Sequence, residues 1–379
     1  TPWLCARSRW RLLCCTAIEP TWCACKRAAS AASGSGPEFR DGRRVDATHC
    51  RAGRRRVGDR AGRPPRAPGP GRDVVGQGWG AGRGDGGGPR EPHLPARRRD
   101  AGNVASNNRS GRALHAAACV VSAIPSHGTR DVIRRARGLL PPEATVVSAT
   151  KGLEVETLLR VSEVIEDELG SDRPIAVLSG PSFAAELARG APTAVAVAGN
   201  CEATVAAVQR EFRSGYFRLY ATQDLVGVEI GGAMKNVIAI AAGAVESLGL
   251  GDNCPSALIT RGLAEISRLA SALGGQRETL AGLSGLGDLV LTCTGQLSRN
   301  RSVGIELGKG RPLEEILGKM RAVAEGVRTT EAALALGGRH GVELPITAQM
   351  ADVLAGQKTP RVAVEELMLR RQRSEVEVE

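Results

Sequence analysis

From residue 114 onward, short apolar runs alternate with stretches in which apolar residues recur at helical spacing. The apolar runs predict five buried strands, at residues 119–124, 145–149, 175–179, 194–198 and 216–220. The stretches between them predict helices over residues 129–137, 154–169 and 202–212. Such alternation is typical of a mainly parallel sheet that is covered by helices on both faces. The predicted fold class of this part of the chain is therefore α/β.

The predicted helix over residues 154–169 is amphipathic. Its expected inner stripe consists of Leu158, Val161, Val164, Ile165 and Leu169.

After residue 223 the strand pattern stops and only helices are predicted. The longest runs from Asp224 to Gly249 and is apolar almost all the way round, which is typical of a helix that is buried on several sides. Thr222 or Asp224 can cap its start, and Gly249 with Gly251 can end it. We expect the segment 283–294 to be a loop. Further helices are predicted at 255–273, from Ser298 onward, and at 312–320, 328–341 and 347–355.

Lys235 lies in the middle of this apolar helix. At helical spacing its neighbours are Gly231, Gly232, Ala239 and Ala242, which are all small and leave a hollow around one amine. An amine held in such a hollow could have its pKa lowered towards neutrality, which suits a proton acceptor. The alternative is a lysine whose stem crosses the core while its ammonium group reaches water.

Two polar segments follow predicted strands, where open α/β sheets bind their ligands. Thr150-Lys151-Gly152 follows the second strand, and Gly180-Pro181-Ser182-Phe183 follows the third. A lysine beside a glycine at a strand end indicates an anion site, although a plain connecting turn gives the same pattern.

A third polar segment, Ser298-Arg299-Asn300, opens a predicted helix. Ser298 can cap that helix, and the free N–H groups, the helix dipole and the Arg299 guanidinium then favour a phosphate.

The net charge of +11 is concentrated before the predicted domains. Residues 1–112 hold 23 Lys+Arg against 9 Asp+Glu, whereas the remaining chain holds 28 against 31. Arg, Gly and Pro dominate this segment without apolar periodicity, so we expect residues 1–113 to be disordered or to come from a shifted reading frame. The segment could bind nucleic acid through its basic runs, such as 97–99, but no aromatic residues are interleaved with them, and we expect no nucleic-acid partner.

Two further features of this segment resemble functional signals. Gly82-Arg-Gly84-Asp-Gly-Gly87 fits the dinucleotide fingerprint G-x-G-x-x-G, but no strand feeds it and prolines follow, so we reject it. The apolar patch 12–18 is too short to span a bilayer, and we expect no membrane partner.

Cys119, Cys201, Cys254 and Cys293 are isolated in the predicted domains. With no C-x-x-C and no paired histidines, they argue against a disulfide framework and a zinc site, and they fit a reducing cytoplasm.

Six motifs carry a resemblance to a known family. The chain resembles bacterial NAD(P)-dependent glycerol-3-phosphate dehydrogenase over about residues 117–370. In order, the motifs are Val147-Ser-Ala-Thr-Lys-Gly-Leu-Glu154, Leu178-Ser-Gly-Pro-Ser-Phe-Ala-Ala-Glu186, Gly231-Gly-Ala-Met-Lys-Asn-Val-Ile-Ala-Ile240, Leu286-Gly-Asp-Leu-Val-Leu-Thr292, Ser298-Arg-Asn300 and Ala324-Glu-Gly-Val-Arg-Thr329.

The resemblance implies a Rossmann domain, an all-helical domain, and the interconversion of sn-glycerol 3-phosphate and dihydroxyacetone phosphate for phospholipid synthesis. It implies NAD or NADP as cofactor, a small-molecule substrate, a homodimer and a cytoplasmic location. By motif, Lys235 matches the family's proton acceptor. The implied substrate contacts are Lys151, Gly180, Ser182, Lys235, Asp288, Ser298, Arg299 and Asn300, and the implied cofactor contacts are Lys151, Ala184, Arg299, Val323 and Glu325. From the sequence, Asp288 either orients the amine or binds a hydroxyl group.

The resemblance divides the chain into a segment 1–113, a dinucleotide-binding part 114–222, a helical part 223–370 and a charged tail 371–379. The family's opening strand and Gly-x-Gly-x-Trp-Gly loop have no counterpart before residue 113. We therefore expect the sheet to be incomplete, with residues 119–124 as an unprotected edge. The alternative function is a catalytically inactive remnant that has lost its pyrophosphate loop.

Overall fold

The computed structural model describes Trp10–Leu13 and residues 114–320, 323–372 and 374–375. The expected disorder of residues 1–113 lies outside this part of the chain except at Trp10–Leu13. The rejected fingerprint at residues 82–87, the basic run 97–99 and most of the tail 371–379 also lie outside the described residues.

The described strands form one six-stranded sheet whose order follows the chain. All neighbouring strands are parallel except the fourth and fifth, which run antiparallel. The prediction of a mainly parallel sheet is therefore confirmed. The strands are β1 (Trp10–Leu13), β2 (Cys119–Ser122), β3 (Thr145–Ser148), β4 (Ile175–Ser179), β5 (Thr193–Gly199) and β6 (Phe217–Thr222).

Strand β1 corrects two predictions about the first part of the chain. Its backbone pairs in parallel with β2, from Trp10 opposite Cys119 to Leu13 opposite Ser122. The expectation that β2 is an unprotected edge is therefore wrong, as is the expectation of disorder at these four residues. A parallel ladder needs only backbone N–H and C=O groups, so an apolar pattern too short to read as a strand can still provide one.

Helices cover both faces of the sheet. Val121 and Val147 of one face pack in a cluster with Val208, whereas Val120 and Val146 of the other face pack with Ile133. This alternation follows from the two-residue period of a strand. The helices of this part are α1 (Ser126–Ala136), α2 (Val161–Leu169), α3 (Ala184–Ala188) and α4 (Glu202–Phe212).

The predicted helix over 154–169 is correct only in its second half. Helix α2 begins at Val161, and residues 154–160 form a loop in which Leu158 has a φ of +64°. Leu158 packs into the core of the helical part of the chain, whereas Val161 and Ile165 pack beneath the sheet. The spacing of these apolar residues resembles that of a helix because neighbouring residues of one segment pack into two separate cores, one around α5 and one beneath the sheet.

The rest of the described chain is helical and is organised around α5 (Leu225–Ser247). Asp224 caps this helix by accepting a hydrogen bond of 2.8 Å from the Gly227 N–H, and Gly249 follows it at a φ of +64°. The helix is long and apolar enough to cross a membrane, but 89% of its most apolar stretch is buried inside the protein. It is therefore the core helix that its pattern predicted.

Further helices surround α5. The segment predicted as a loop over 283–294 is a π-helical turn (Leu283–Gly287) followed by a helix that begins at Asp288. The helices are α6 (Asn253–Ala272), α7 (Arg277–Leu280), α8 (Asp288–Thr294), α9 (Arg299–Gly308), α10 (Leu313–Lys319), α11 (Glu325–Arg339), α12 (Pro345–Leu354) and α13 (Pro360–Met368).

Candidate functional site

The site lies where the carboxyl ends of β3 and β4 meet α5 and α8. Lys235 of α5 donates a hydrogen bond of 2.5 Å to Oδ1 of Asp288, the first residue of α8. Lys151, which follows β3, donates one of 2.7 Å to Oδ2 of the same carboxylate. Lys235 is 6% exposed and Asp288 1% exposed. Two lysines from different parts of the sequence thus share one buried carboxylate.

Thr292 completes the surroundings of the Lys235 amine, and it was missed by the sequence reasoning. Its Oγ1 accepts a hydrogen bond of 2.8 Å from Lys235 Nζ and donates one of 2.6 Å to the backbone oxygen of Asp288. Residues four apart share a helix face, so Thr292 would have been found if residues 288–294 had been read as a helix. Threonine and carboxylate together fix the direction of the amine.

The pKa values of this cluster follow from burial and from the neighbouring charges. Burial, and then the charge of Lys151, lower the pKa of Lys235 from 10.5 to about 8, although Asp288 opposes the change. Burial alone would raise the pKa of Asp288, but the charges of Lys151 and Lys235 outweigh it and hold that pKa below its ordinary value of 3.8. Lys235 can therefore exchange a proton near neutral pH while Asp288 stays ionised. Because Lys235 is buried and its amine is bonded to Asp288 and Thr292, its ammonium group does not reach bulk water.

The end of β4 contributes to the same cluster. Gly180 has a φ of +134°, which favours glycine, and its backbone oxygen accepts a hydrogen bond of 2.8 Å from Lys151 Nζ. Ser182 lies within 3.3 Å of the same amine through its Oγ, and the Gly180 N–H lies 3.3 Å from Oδ2 of Asp288. The two polar segments predicted after β3 and β4 are therefore in contact.

A chain of amides joins α5 to the start of α9 and α11. Asn300 Nδ2 donates a hydrogen bond of 2.9 Å to Oδ1 of Asn236. Asn300 Oδ1 accepts a hydrogen bond of 3.0 Å from the Gly326 N–H. Asn236, which directly follows Lys235, donates 3.2 Å to the backbone oxygen of Lys151. Asn236 is a second residue that the sequence reasoning did not single out. These bonds hold three helices around the amine of Lys235.

The start of α9 has the predicted capped form. Ser298 is buried, and its Oγ accepts a hydrogen bond of 3.2 Å from the Arg301 N–H. Arg299 is the first residue of the helix and is exposed, while Asn300 is buried against α5. A helix N-terminus that carries an exposed guanidinium suits an anionic ligand.

Glycines let α9 and α11 approach the backbone of α5. A Cβ at Gly304 would lie 1.9 Å from the Ile240 backbone oxygen, and one at Gly326 would lie 2.6 Å from that of Asn236. These positions allow no side chain, because a backbone oxygen cannot rotate away. The close packing brings Asn300 within reach of the site.

The residues implied as cofactor contacts lie at several places: Lys151 in the cluster around Asp288, Arg299 at the start of α9, and Glu325 against α1. Glu325 Oε1 accepts a hydrogen bond of 3.2 Å from the Ser126 N–H, and its Oε2 accepts one of 2.7 Å from Ser126 Oγ. Glu325, at the start of α11, therefore caps the start of α1. Ala184 begins α3, and Val323 is exposed just before α11.

Among the buried polar atoms without a hydrogen-bond partner in the described part of the chain are Ser122 Oγ, at the last residue of β2, and His127 Nδ1, on α1. A dinucleotide that crosses the carboxyl edge of such a sheet offers polar groups to these positions. The described residues therefore offer buried polar groups to a dinucleotide cofactor.

The remaining titratable groups give no sign of metal or disulfide chemistry within the described residues. That part of the chain holds no cluster of His, Cys, Asp and Glu that could bind a metal ion. Cys119, Cys254 and Cys293 are free thiols. Cys293 lies near Lys235, and burial raises its pKa to about 12, so it is an inert thiol.

Two family models match the chain. The model described as NAD-dependent glycerol-3-phosphate dehydrogenase N-terminus matches residues 101–205, and that described as the C-terminus of the same enzyme matches residues 224–365.

Curated relatives with the name glycerol-3-phosphate dehydrogenase [NAD(P)+] are similar over most of their length. That of Geobacter sp. (strain M21) is 53% identical over 274 residues, which cover 72% of this chain and 82% of the relative. The relative from Acidobacterium capsulatum is 55% identical over 268 residues, which cover 69% of this chain and 79% of the relative.

Solved structures agree with these matches. Glycerol-3-phosphate dehydrogenase from Coxiella burnetii is 40% identical with a TM-score of 0.66, over 69% of this chain and 80% of that one. The enzyme from Plasmodium falciparum is 20% identical with a TM-score of 0.64, over 70% of this chain and 76% of that one. This similarity shows a shared fold.

Proposed function

The chain belongs to the NAD-dependent glycerol-3-phosphate dehydrogenase family, and on this premise we propose that Lys235 exchanges the proton in the interconversion of sn-glycerol 3-phosphate and dihydroxyacetone phosphate. The observation that carries the proposal is the shared carboxylate of Asp288, with Lys235 on one oxygen and Lys151 on the other. A buried amine whose pKa is lowered to about 8 can both accept and donate a proton at neutral pH. The reaction feeds glycerophospholipid synthesis.

The chemistry divides between the cofactor and the protein. NAD or NADP, when bound, supplies or accepts the hydride. During reduction the Lys235 ammonium donates a proton to the ketone oxygen, and during oxidation the neutral amine takes the proton of the secondary alcohol. Asp288 and Thr292 hold the amine in one direction, so no reorganisation is needed when charge develops on the substrate oxygen.

Lys151 has a separate role in this proposal. Its ammonium group is held by Asp288, Gly180 and Ser182 and lies beside that of Lys235. A second positive charge at this place favours release of a proton from Lys235 and attracts an anionic substrate. Lys151 therefore acts through charge, while Lys235 carries the proton.

The substrate phosphate is assigned to the start of α9. Arg299 is exposed there, Ser298 caps the helix, and Asn300 links the helix to Asn236 beside Lys235. Backbone N–H groups and a guanidinium together bind a phosphate well. The resemblance also assigns substrate contacts to Gly180 and Ser182, which follow β4.

The cofactor is assigned to the edge formed by β2, α1 and α11. Ser122 and His127 offer buried polar atoms without partners in the described part of the chain, and Glu325 accepts hydrogen bonds from Ser126 at the start of α1. The resemblance also assigns cofactor contacts to Ala184 and Lys151 of the sheet part and to Arg299 and Val323 of the helical part. We further propose a dinucleotide-binding domain over 114–222, a helical domain over 223–370, a cytoplasmic location and a homodimer, on the strength of the family membership.

A second candidate function is an inactive remnant that binds a phosphorylated ligand. One observation favours it: after β1 the sequence reads Cys14-Cys15-Thr16-Ala17-Ile18-Glu19-Pro20, and the first glycine is Gly34. The resemblance leads us to expect a Gly-x-Gly-x-Trp-Gly loop at this place, where a helix N-terminus holds the pyrophosphate.

The test is oxidation of NADH or NADPH, followed by absorbance, with dihydroxyacetone phosphate as substrate. The proposed reaction requires turnover that depends on this ketone and is absent with dihydroxyacetone, which has no phosphate. Binding of dihydroxyacetone phosphate without any turnover would favour the remnant. Neither binding nor turnover would contradict both candidates.

A further inference from the structure

A buried ion pair ties the loop that carries Lys151 to the helix that carries Lys235. Arg160 Nη1 donates a hydrogen bond of 2.7 Å to Oε2 of Glu229. Glu229 lies on α5, one to two turns before Lys235. Glu229 also accepts 2.8 Å from the Ser162 N–H and 2.5 Å from Ser162 Oγ. Glu229 is 6% exposed. The carboxylate of one domain therefore caps the first turn of α2 in the other.

The loop between Lys151 and Arg160 is closed on itself. Leu153 and Arg160 form an antiparallel bridge, and the Glu154 N–H donates 3.0 Å to the Leu159 oxygen. Leu158 is buried in the core around α5 although its φ of +64° is unfavourable for a side chain. A movement of Arg160 relative to α5 is therefore passed to Leu153, two residues from Lys151.

The position of Lys151 matters because its charge acts directly on Lys235. The groups that face the Lys235 amine are Asp288, Thr292 and Cys293 from α8 and Lys151 from the loop after β3. Asp288 and Thr292 belong to the same helical part as Lys235. Lys151 comes from the side of the sheet. Asn236 of α5 holds its backbone oxygen, Asp288 holds its amine, and Glu229 anchors the loop that follows it, so its distance from Lys235 depends on these three contacts together.

We propose that Glu229, through Arg160 and Ser162, is a positioning residue that sets the place of the Lys151 ammonium group beside Lys235. This inference rests on the proposed function, in which the two lysines share the work of proton transfer and anion binding. It gives a role to a buried carboxylate that touches neither the Lys235 amine nor the residues assigned to substrate and cofactor.

A second buried carboxylate provides a matched control. Glu265 of α6 is 1% exposed and caps α12 by accepting 2.5 Å from the Ile346 N–H and 3.0 Å from Thr347 Oγ1. It thus performs the same kind of capping as Glu229, but it contacts no residue of the loop 151–160. Loss of either carboxylate leaves buried donors without an acceptor, and loss of Glu229 also removes the ion-pair partner of Arg160.

The experiment measures the reactivity of the Lys235 amine in the full chain. Wild type, Glu229→Gln, Arg160→Lys and Glu265→Gln are treated with acetic anhydride between pH 6 and pH 11, and modification of Lys235 is quantified by mass spectrometry. Only the neutral amine reacts, so the profile reports the protonation of Lys235 in the folded protein. Hydrogen exchange of residues 153–160 is recorded in parallel.

We expect Glu229→Gln to release the loop and to move Lys151 away from Lys235. The Lys235 profile then shifts to higher pH and labelling near pH 7 slows about threefold to tenfold, because a repelling charge is lost. Arg160→Lys keeps the charge and should give a smaller shift in the same direction. Glu265→Gln should lower the melting temperature and leave the Lys235 profile unchanged.

The outcomes separate this inference from the proposed function. An unchanged Lys235 profile in Glu229→Gln, or an equal shift in Glu265→Gln, overturns the positioning role. If Glu229→Gln does not fold, or if Lys235 escapes labelling, the hydrogen exchange of Arg160→Lys decides. Faster exchange at residues 153–160, with exchange at α12 unchanged, supports the positioning role. Unchanged exchange at residues 153–160 overturns it. Failure of dihydroxyacetone phosphate to protect Lys235 in wild type contradicts the proposed function and leaves the anchoring result as it stands.

Discussion

Lys151 and Lys235 place their ammonium groups on the two oxygens of a single carboxylate, at 2.7 Å and 2.5 Å. The carboxylate of Asp288 is buried, and its single negative charge faces the positive charges of both lysines. The charge of Lys151 makes Lys235 easier to deprotonate, whereas the anion between them works in the opposite direction. The balance decides the protonation of Lys235 and underlies the predictions below.

Lys235→Ala should lower kcat by about 10²–10⁴-fold, the usual contribution of a general acid or base. The affinity for NADH should stay within about twofold, because the amine acts on the substrate oxygen. Lys319→Ala, which removes an exposed lysine paired with Glu315, is the control. A loss below about tenfold would show that Lys235 serves packing instead of chemistry.

The two directions of the reaction should respond oppositely to pH. Reduction needs the ammonium form of Lys235, whose pKa is lowered to about 8, so turnover of dihydroxyacetone phosphate should fall as the pH rises through about 8. Oxidation needs the neutral amine and should rise over the same range. Initial rates in both directions, with saturating substrates, test this. Profiles that fall together would assign the titration to another group.

Asp288→Asn should lower the midpoint of the reduction profile below that of wild type. The carboxylate raises the pKa of Lys235, so its removal leaves two neighbouring ammonium groups without compensation. Asp352→Asn, which removes a surface carboxylate near Lys358, should leave the midpoint in place. A midpoint that moves to higher pH would contradict the assigned electrostatics.

Gly304→Ala should destabilise the protein by about 1–3 kcal/mol, the usual cost of overpacking. The new Cβ would meet the Ile240 backbone oxygen at 1.9 Å and would push α9 away from α5. The KM for dihydroxyacetone phosphate should rise, because α9 carries Arg299. Gly338→Ala on α11 meets nothing within 4 Å and should stabilise by about 0.5–1 kcal/mol. Thermal unfolding distinguishes the two, and equal melting temperatures would contradict the packing argument.

Replacing residues 1–113 by the corresponding N-terminal part of the Geobacter sp. relative should raise turnover by at least about a hundredfold, the scale of one lost catalytic interaction. The reason is that the sequence after β1 carries no glycine before Gly34. The same chimera with Lys235→Ala is the control for contaminating activity. Equal turnover of the chain and the chimera would show that the present N-terminal segment supplies the pyrophosphate site.

The sequence determined much of the architecture by itself. The five strands from Cys119 onward and the core helix capped by Asp224 followed from apolar periodicity and capping chemistry, which are local properties. The helical start at Ser298 was equally readable, since a cap involves neighbouring residues only. Motif spacing identified the family, because several motifs in a fixed order rarely coincide by chance.

Tertiary structure alone decided the features that depend on residues far apart in the sequence. The pairing of β1 with β2 joins segments about a hundred residues apart, and a four-residue run carries too little pattern to announce it. Leu158 is not part of the predicted helix, because it packs into the core around α5 while Val161 and Ile165 of the same segment pack into the core beneath the sheet.

The role of Asp288 was also open in the sequence. A carboxylate can bind an amine or a hydroxyl group, and only the meeting of α5, α8 and the loop after β3 showed that Asp288 lies between two lysines. Local chemistry thus fixed which residues could react. Long-range packing fixed which charges they face, and therefore the pKa at which Lys235 exchanges its proton.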